Sequence, residues 1–325
     1  MLVATALLII GLALLVYGAD RLVFSAAVLC RSFGLPPLLI GIIVIGPGIS
    51  LPELVVSTSS AIHGQMDIAV GTAIGSNITN ILLILGGAAL LHPLKVNSNL
   101  LRREFPLMLL VMLLCGLLLC DNQLSRTDGI IMLIIAFCWL FCAIKFARRA
   151  ERENNDSFTR EQLNELPRAD ISNTVAFLWL AVALILLPVA SRLVIDNATV
   201  IAAYFGISEL VIALTILSVG TSLPELATMI AGALKGEDDI AIGNLIGSNI
   251  YNMVVVLGLP ALIRPGSFHQ AVFARDYWVM LGVSALFALI CLQRRQPGRI
   301  TGAVLLCGFI LWVVILYGFP SLAFW

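Results

Sequence analysis

The sequence predicts an all-α polytopic membrane protein with ten transmembrane helices, arranged as two inverted five-helix repeats. Three observations predict this fold: an apolar composition, a one-sided distribution of positive charge, and a set of motifs that occurs twice. The 325 residues are 60% hydrophobic and 12% charged, whereas soluble proteins average about 45–50% apolar and about 25% charged residues. This composition excludes an ordinary soluble enzyme. The 19 basic and 19 acidic residues balance, so no basic field is available to bind nucleic acid.

Ten stretches are apolar and long enough to cross a bilayer, which requires about 20 residues. The predicted spans are 2–29, 36–62, 68–91, 106–121, 129–147, 174–195, 207–234, 240–263, 277–293 and 300–320. The loops after odd-numbered spans, with the basic ends of those spans, contain fifteen of the Lys and Arg residues, and those after even-numbered spans contain four. Because positive charge collects on the cytoplasmic side, we expect both termini on the non-cytoplasmic side.

The longest polar stretch divides the chain into two halves. Residues 148–173 are rich in Arg, Glu, Asn and Asp and predict a solvated cytoplasmic linker. The linker joins a first five-helix half, 1–147, to a second, inverted five-helix half, 174–325. It is too short to form a separate domain.

Two motifs occur once in each half at a constant offset. The segment Gly48-Ile49-Ser50-Leu51-Pro52-Glu53-Leu54 returns as Gly220-Thr221-Ser222-Leu223-Pro224-Glu225-Leu226, and Gly75-Ser76-Asn77-Ile78-Thr79-Asn80 returns as Gly247-Ser248-Asn249-Ile250-Tyr251-Asn252. The offset is 172 residues throughout. Five spans, an odd number, separate the matching elements, so the halves must have opposite orientations. Inverted repeats with interrupted helices are typical of secondary transporters.

The first motif contains a glutamate within an otherwise apolar span. Glu53 and Glu225 occupy matching positions, although a charge near the bilayer centre costs about 2.5–3.5 kcal/mol on insertion scales. Two such charges in equivalent positions predict one site shared by the two halves.

A proline directly precedes each glutamate. Pro52 lacks an N–H and crowds the carbonyl of Gly48, and Pro224 does the same to Gly220. We therefore expect each helix to break here and to expose backbone carbonyl oxygens beside the carboxylate.

Hydroxyl and amide side chains accompany the glutamates. Ser50 stands three residues before Glu53, which are neighbouring positions if the helix continues, and Ser222 has the same spacing to Glu225. Within the second motif, Ser76 and Asn80 are four residues apart, as are Ser248 and Asn252. This inventory consists of oxygen donors. Ca²⁺ takes about six to eight oxygen ligands, Na⁺ also prefers oxygen, and softer metals prefer sulfur or imidazole.

These repeated motifs resemble the sodium/calcium exchanger superfamily, whose two inverted repeats contain G-[ST]-S-x-P-E and G-S-N-x-x-[ND] segments. The resemblance covers essentially the whole chain and is closest to short bacterial inner-membrane members, which lack large cytoplasmic calcium-sensing domains. It implies a bacterial inner-membrane antiporter, and neither an enzyme nor a protein with a resident cofactor. Two positions depart from the family pattern: Ile49 replaces a threonine and offers no hydroxyl, and Asn252 stands where some exchangers have aspartate.

By motif position, the resemblance implies a ligand set for the transported cations. It comprises Glu53, Ser50, Ser76 and Asn80 with Glu225, Thr221, Ser222, Ser248 and Asn252, to which the helix breaks add the carbonyls of Gly48 and Gly220. The expected function is exchange of Ca²⁺ for Na⁺, because both cations need the same two glutamates. Protons or K⁺ are alternative coupling ions, since neighbouring carboxylates titrate as a pair. An ion channel is an alternative of a different class, and an intramembrane hydrolase is disfavoured because no base accompanies the serines.

Overall fold

The computed structural model describes residues 2–33, 40–95, 98–152, 172–205, 218–294 and 297–318. The beginnings of predicted spans 2 and 7, and residues 153–171 of the predicted linker, lie outside these ranges. The helices are α1 (Leu2–Phe33), α2 (Gly46–Ile49), α3 (Leu51–Ile62), α4 (Met66–Thr79), α5 (Gly86–Leu91), α6 (Ser98–Leu119), α7 (Arg126–Arg152), α8 (Asn173–Tyr204), α9 (Ser218–Gly220), α10 (Leu223–Lys235), α11 (Asp238–Tyr251), α12 (Gly258–Ile263), α13 (Trp278–Arg294) and α14 (Arg299–Gly318). Four π-helical turns interrupt them, at Gly41–Ile45, Asn80–Leu85, Asn252–Val256 and Val272–Tyr277.

The described helices have the length and hydropathy of a membrane protein. Six are long and apolar enough to cross a bilayer, or seven if Gly41–Ile49 and Leu51–Ile62, which are bent by 49°, form one span. The prediction of an α-helical polytopic membrane protein is thus confirmed. A single exception to the all-α class is found in the described chain, an antiparallel pair of two-residue strands, β1 (Gln123–Leu124) and β2 (Gly266–Ser267).

Helices α1 and α8 are longer than the predicted spans 2–29 and 174–195, and each contains 32 residues. Arg21 lies within α1 and Arg192 within α8. A charged side chain is compatible with a continuous helix when its charge is stacked on neighbouring side chains. The guanidinium of Arg21, for example, lies 5.3 Å from the ring centroid of Tyr17 and 5.4 Å from that of Trp179.

The buried apolar side chains form two clusters. Helices α1 and α8 pack along each other and, with residues such as Ile45 and Ile49, form a smaller cluster. The other long helices share a larger cluster that includes Ile78, Ile250 and Phe287. The α1–α8 pair is therefore packed as a unit beside the helices that contain the repeated motifs.

Both helices with the first motif break at a serine. Ser50 (φ −85°, ψ 12°) separates α2 from α3, and Ser222 (φ −92°, ψ 8°) precedes α10. In each case the following proline, Pro52 or Pro224, stands in the first turn of the new helix, where its missing N–H costs no hydrogen bond. The predicted breaks are confirmed.

Candidate cation site

The helix breaks position the two glutamates at equivalent places. Glu53 lies in the first turn of α3 and Glu225 in the first turn of α10. Their exposed fractions are only 1% and 2%. The N-terminal end of a helix carries a partial positive charge, which favours a carboxylate in the first turn. The breaks thus provide the electrostatic environment that allows two acidic groups to be buried.

The carboxylates are joined to the opposite repeat. Ser50 Oγ donates a hydrogen bond of 3.1 Å to Glu225 Oε1, and Ser222 lies beside Glu53. Ser50 and Glu53 would be neighbours only in a continuous helix, and the helix breaks at Ser50. The two copies of the first motif are therefore in contact with each other.

Several oxygens in this region have no hydrogen-bond partner within the described chain. They are Glu53 Oε2, Glu225 Oε2, Ser222 Oγ, Asn80 Oδ1 and Asn252 Oδ1, and all five are buried. Leaving a buried polar atom unpaired costs roughly 1–3 kcal/mol, and more if it is charged. A group of such atoms, all oxygens, matches the ligand preference of a hard cation.

The amides of the second motif begin π-helical turns. Asn80 is the first residue of the turn Asn80–Leu85, and Asn252 is the first of Asn252–Val256. Helix α10, which contains Glu225, packs against the turn that begins at Asn80, and helix α3, which contains Glu53, packs against the turn that begins at Asn252. Each carboxylate helix thus contacts the amide-bearing turn of the other half.

Two further asparagines, absent from the predicted ligand set, contact these amides. Asn80 Nδ2 donates to Asn249 Oδ1 at 2.9 Å, and Asn252 Nδ2 donates to Asn77 Oδ1 at 3.1 Å. Asn77 and Asn249 are completely buried. Both occur in the repeated G-S-N segment, so the repeat itself was the signal. The i, i+4 spacing instead related Ser76 to Asn80 and Ser248 to Asn252.

The remaining predicted hydroxyl donors lie in the same region with different contacts. Ser248 Oγ donates to the backbone carbonyl of Gly46 at 3.2 Å, which brings α11 against α2. Ser76 is buried on α4, and Thr221 is half-buried beside Ser222.

The two predicted backbone ligands differ from each other. Gly48 is half-buried and faces Leu184 of α8, whose side chain lies 2.6 Å from where a Cβ would be. Gly220 is buried against Ile195, and its carbonyl oxygen accepts a hydrogen bond from Ser191 Oγ. One lone pair of the Gly220 carbonyl is therefore used within the protein, and both glycines fix the position of α8.

The donor chemistry is that of neutral oxygens around two carboxylates. Within the described residues, no three His, Cys, Asp or Glu side chains converge on a metal position. Two negative charges with hydroxyl and amide oxygens suit one divalent cation, or monovalent cations at overlapping positions.

Comparison with known proteins agrees with this geometry. The sodium/calcium exchanger protein family matches residues 3–145 and 175–318. The inner membrane protein YrbG of Escherichia coli is 61% identical over 98% of each chain. CaxA of Alkalimonas amylolytica is 42% identical over 98% of this chain and 99% of its own. The solved structure of the sodium-calcium exchanger NCX_Mj superposes with a TM-score of 0.83 at 28% identity, covering 97% of this chain and 99% of that one.

The family match extends over both halves and leaves out the linker region between them. The family and the fold are those of exchangers and not of enzymes. The chain therefore belongs to the sodium/calcium exchanger protein family.

Proposed function

We propose that this chain is a secondary antiporter that exchanges Ca²⁺ for Na⁺ at a site formed by Glu53 and Glu225. One observation carries the proposal: two buried carboxylates at equivalent helix breaks each retain an oxygen without a partner among the described residues. Membership of the exchanger family and the likeness to NCX_Mj support cation antiport. The two glutamates balance the charge of one Ca²⁺.

Competition between the ions follows from the shared carboxylates. Ca²⁺ and Na⁺ are both oxygen-seeking, and a carboxylate offsets the cost of placing their positive charge in an apolar span. Ions that need the same two groups exclude each other. The two fluxes are then coupled if the loaded site can open to either side of the membrane in turn.

Alternating access is proposed to arise from movement of α1 and α8 against the other helices. The two helices pack along each other over their length, and the apolar cluster that they form with Ile45, Ile49 and Ile240 is distinct from the larger cluster of the other long helices. The polar contacts between this pair and the rest of the described chain include the Ser191–Gly220 hydrogen bond and an ion pair of 2.8 Å between Lys235 Nζ and Asp20. Partly exposed ion pairs of this kind contribute about 0–1 kcal/mol and can break during a transport cycle.

The proposed topology is ten spans in two inverted five-helix halves, 1–147 and 174–325, in a bacterial inner membrane. The relative YrbG is an inner membrane protein. The excess of Lys and Arg in the loops after odd-numbered spans supports non-cytoplasmic termini. The ligand set proposed for the cations remains the one implied by the motifs, with the hydroxyl and amide oxygens of both halves around the two glutamates.

Flux measurements with separate gradients test the coupling ion. The purified chain, reconstituted into proteoliposomes, is expected to move ⁴⁵Ca²⁺ when an opposing Na⁺ gradient is imposed, and not when K⁺ or H⁺ gradients are imposed alone. Movement driven by a pH jump in sodium-free vesicles would identify proton coupling instead. Conductance without dependence on a second ion would contradict antiport and indicate a channel.

The hydroxyl of Ser50 provides a more local test. Ser50→Ala removes a hydrogen bond to the Glu225 carboxylate, and bonds to charged groups are worth about 1.5–3 kcal/mol. We expect the KM for Ca²⁺ to rise at least about tenfold. Ser59→Ala, at an exposed position of the same helix, is the matched control and should leave KM unchanged. Equal KM values for the two variants would exclude a role for Ser50.

A further inference from the structure

Asn77 and Asn249 form a second layer behind the amides of Asn80 and Asn252. Each contact crosses between the two halves: Asn249 accepts from Asn80, and Asn77 accepts from Asn252. The two residues occupy matching positions, three residues before the amides in the repeated segment. The arrangement therefore occurs twice, and each half orients a side chain of the other.

The chemistry of a primary amide explains why such a contact matters. The oxygen and the NH₂ group of an asparagine have nearly the same size, but only the oxygen can coordinate a cation. A rotation of 180° about the last side-chain bond would present the NH₂ group and repel the ion. A fixed acceptor on the NH₂ side prevents this rotation and keeps Oδ1 free. Asn80 Oδ1 and Asn252 Oδ1 have no partner within the described residues.

The acceptors are themselves held in one orientation. Asn77 Nδ2 donates to the backbone carbonyl of Asn249 at 3.1 Å and contacts Met280 Sδ at 3.4 Å. Asn249 Nδ2 lies 4.0 Å from Met108 Sδ. A carbonyl oxygen and a thioether can only accept hydrogen bonds. The NH₂ group of Asn77 must therefore face these atoms, and its oxygen must face Asn252.

We propose that Asn77 and Asn249 are positioning residues that orient the amide oxygens of Asn252 and Asn80 toward the transported cation. Groups that can only accept hydrogen bonds fix the amides of Asn77 and Asn249. These two amides in turn fix those of Asn252 and Asn80. The proposal rests on the cation site proposed above and adds two residues that do not themselves contact the ion.

Substitution of Asn249 by Leu in two backgrounds tests the proposal. Leu has a similar size but no acceptor, so the amide of Asn80 is no longer held. We expect the Kd for Ca²⁺, measured with ⁴⁵Ca²⁺ on the purified protein, to rise about tenfold. In an Asn80→Asp background the same substitution should change the Kd less than about twofold, because a carboxylate presents an oxygen in either orientation.

The comparison between backgrounds separates orientation from packing. A purely structural role for Asn249 predicts equal losses in both backgrounds, and that result would overturn the proposal, as would the absence of any loss in either. The mirrored set, Asn77→Leu with and without Asn252→Asp, gives an independent measurement if an Asn249 variant does not fold. Failure of the wild-type protein to bind Ca²⁺ would instead refute the proposed function.

Discussion

Replacement of either Glu53 or Glu225 by Gln is expected to abolish Ca²⁺ transport. Glutamine has nearly the same shape and still offers Ser50 an acceptor, so the substitution removes the charge with little change in packing. Two unit charges 4 Å apart interact by about 4 kcal/mol at an effective dielectric constant of about 20, and each 1.4 kcal/mol corresponds to a factor of ten. The loss for a divalent ion is therefore expected to exceed about a hundredfold.

Sodium-dependent ⁴⁵Ca²⁺ uptake into everted membrane vesicles measures this effect. Asp121→Asn, which neutralises an exposed carboxylate beside β1, is the control and should retain the wild-type rate. Expression of each variant is checked by size-exclusion chromatography. A wild-type transport rate in both glutamine variants would mean that the buried glutamates do not bind the transported ion.

Gly247→Ala is expected to lower the stability of the folded protein strongly. A Cβ at this position would lie 2.5 Å from the backbone oxygen of Ile42, and backbone cannot rotate away as a side chain can. The two segments cross closely on both sides, because a Cβ on Gly46 would also lie only 2.7 Å from the backbone nitrogen of Ser248. Overpacking typically costs about 1–3 kcal/mol, more than the roughly 1 kcal/mol that alanine gains over glycine in a helix.

The midpoint of thermal unfolding in detergent measures this prediction, and Gly282→Ala is the matched control. Gly282 lies in α13, and no described atom lies within 4 Å of its ideal Cβ, so the control should unfold at or above the wild-type temperature. Gly247→Ala should unfold below it. It should also bind Ca²⁺ more weakly, because separation of α2 and α11 lengthens the Ser248–Gly46 hydrogen bond. Equal midpoints for the two variants would contradict the close crossing.

Much of the candidate site is predictable from the sequence because of its duplication. The 172-residue offset relates Glu53 to Glu225, both of which lie within apolar spans, and the preceding prolines locate the helix breaks. The effect of the prolines is local, because a proline disrupts its own helix wherever the helix is packed. Helix lengths were less predictable, because α1 and α8 extend beyond the predicted spans 2–29 and 174–195.

The partners of these residues could not be predicted from spacing along the chain. Ser50 bonds to Glu225 and not to Glu53, and Asn80 bonds to Asn249 and not within its own helix. Both contacts cross between halves separated by more than 160 residues in sequence. Spacing rules such as i, i+3 hold only for continuous α-helix, whereas the helix breaks at Ser50 and changes to a π-helical turn at Asn80.

The sequence by itself determined that this protein spans a membrane, that its two halves are related, and that two acidic residues lie where apolar composition should exclude them. Composition, repetition and the cost of a buried charge are all properties of the chain. Only the tertiary structure decided which donors meet which acceptors across the two halves. It also decided that the amide oxygens of Asn80 and Asn252 have no partner within the described residues. Those outcomes depend on how α3, α10 and the two asparagine turns pack together, since a hydrogen bond forms only between groups that packing brings within about 3 Å.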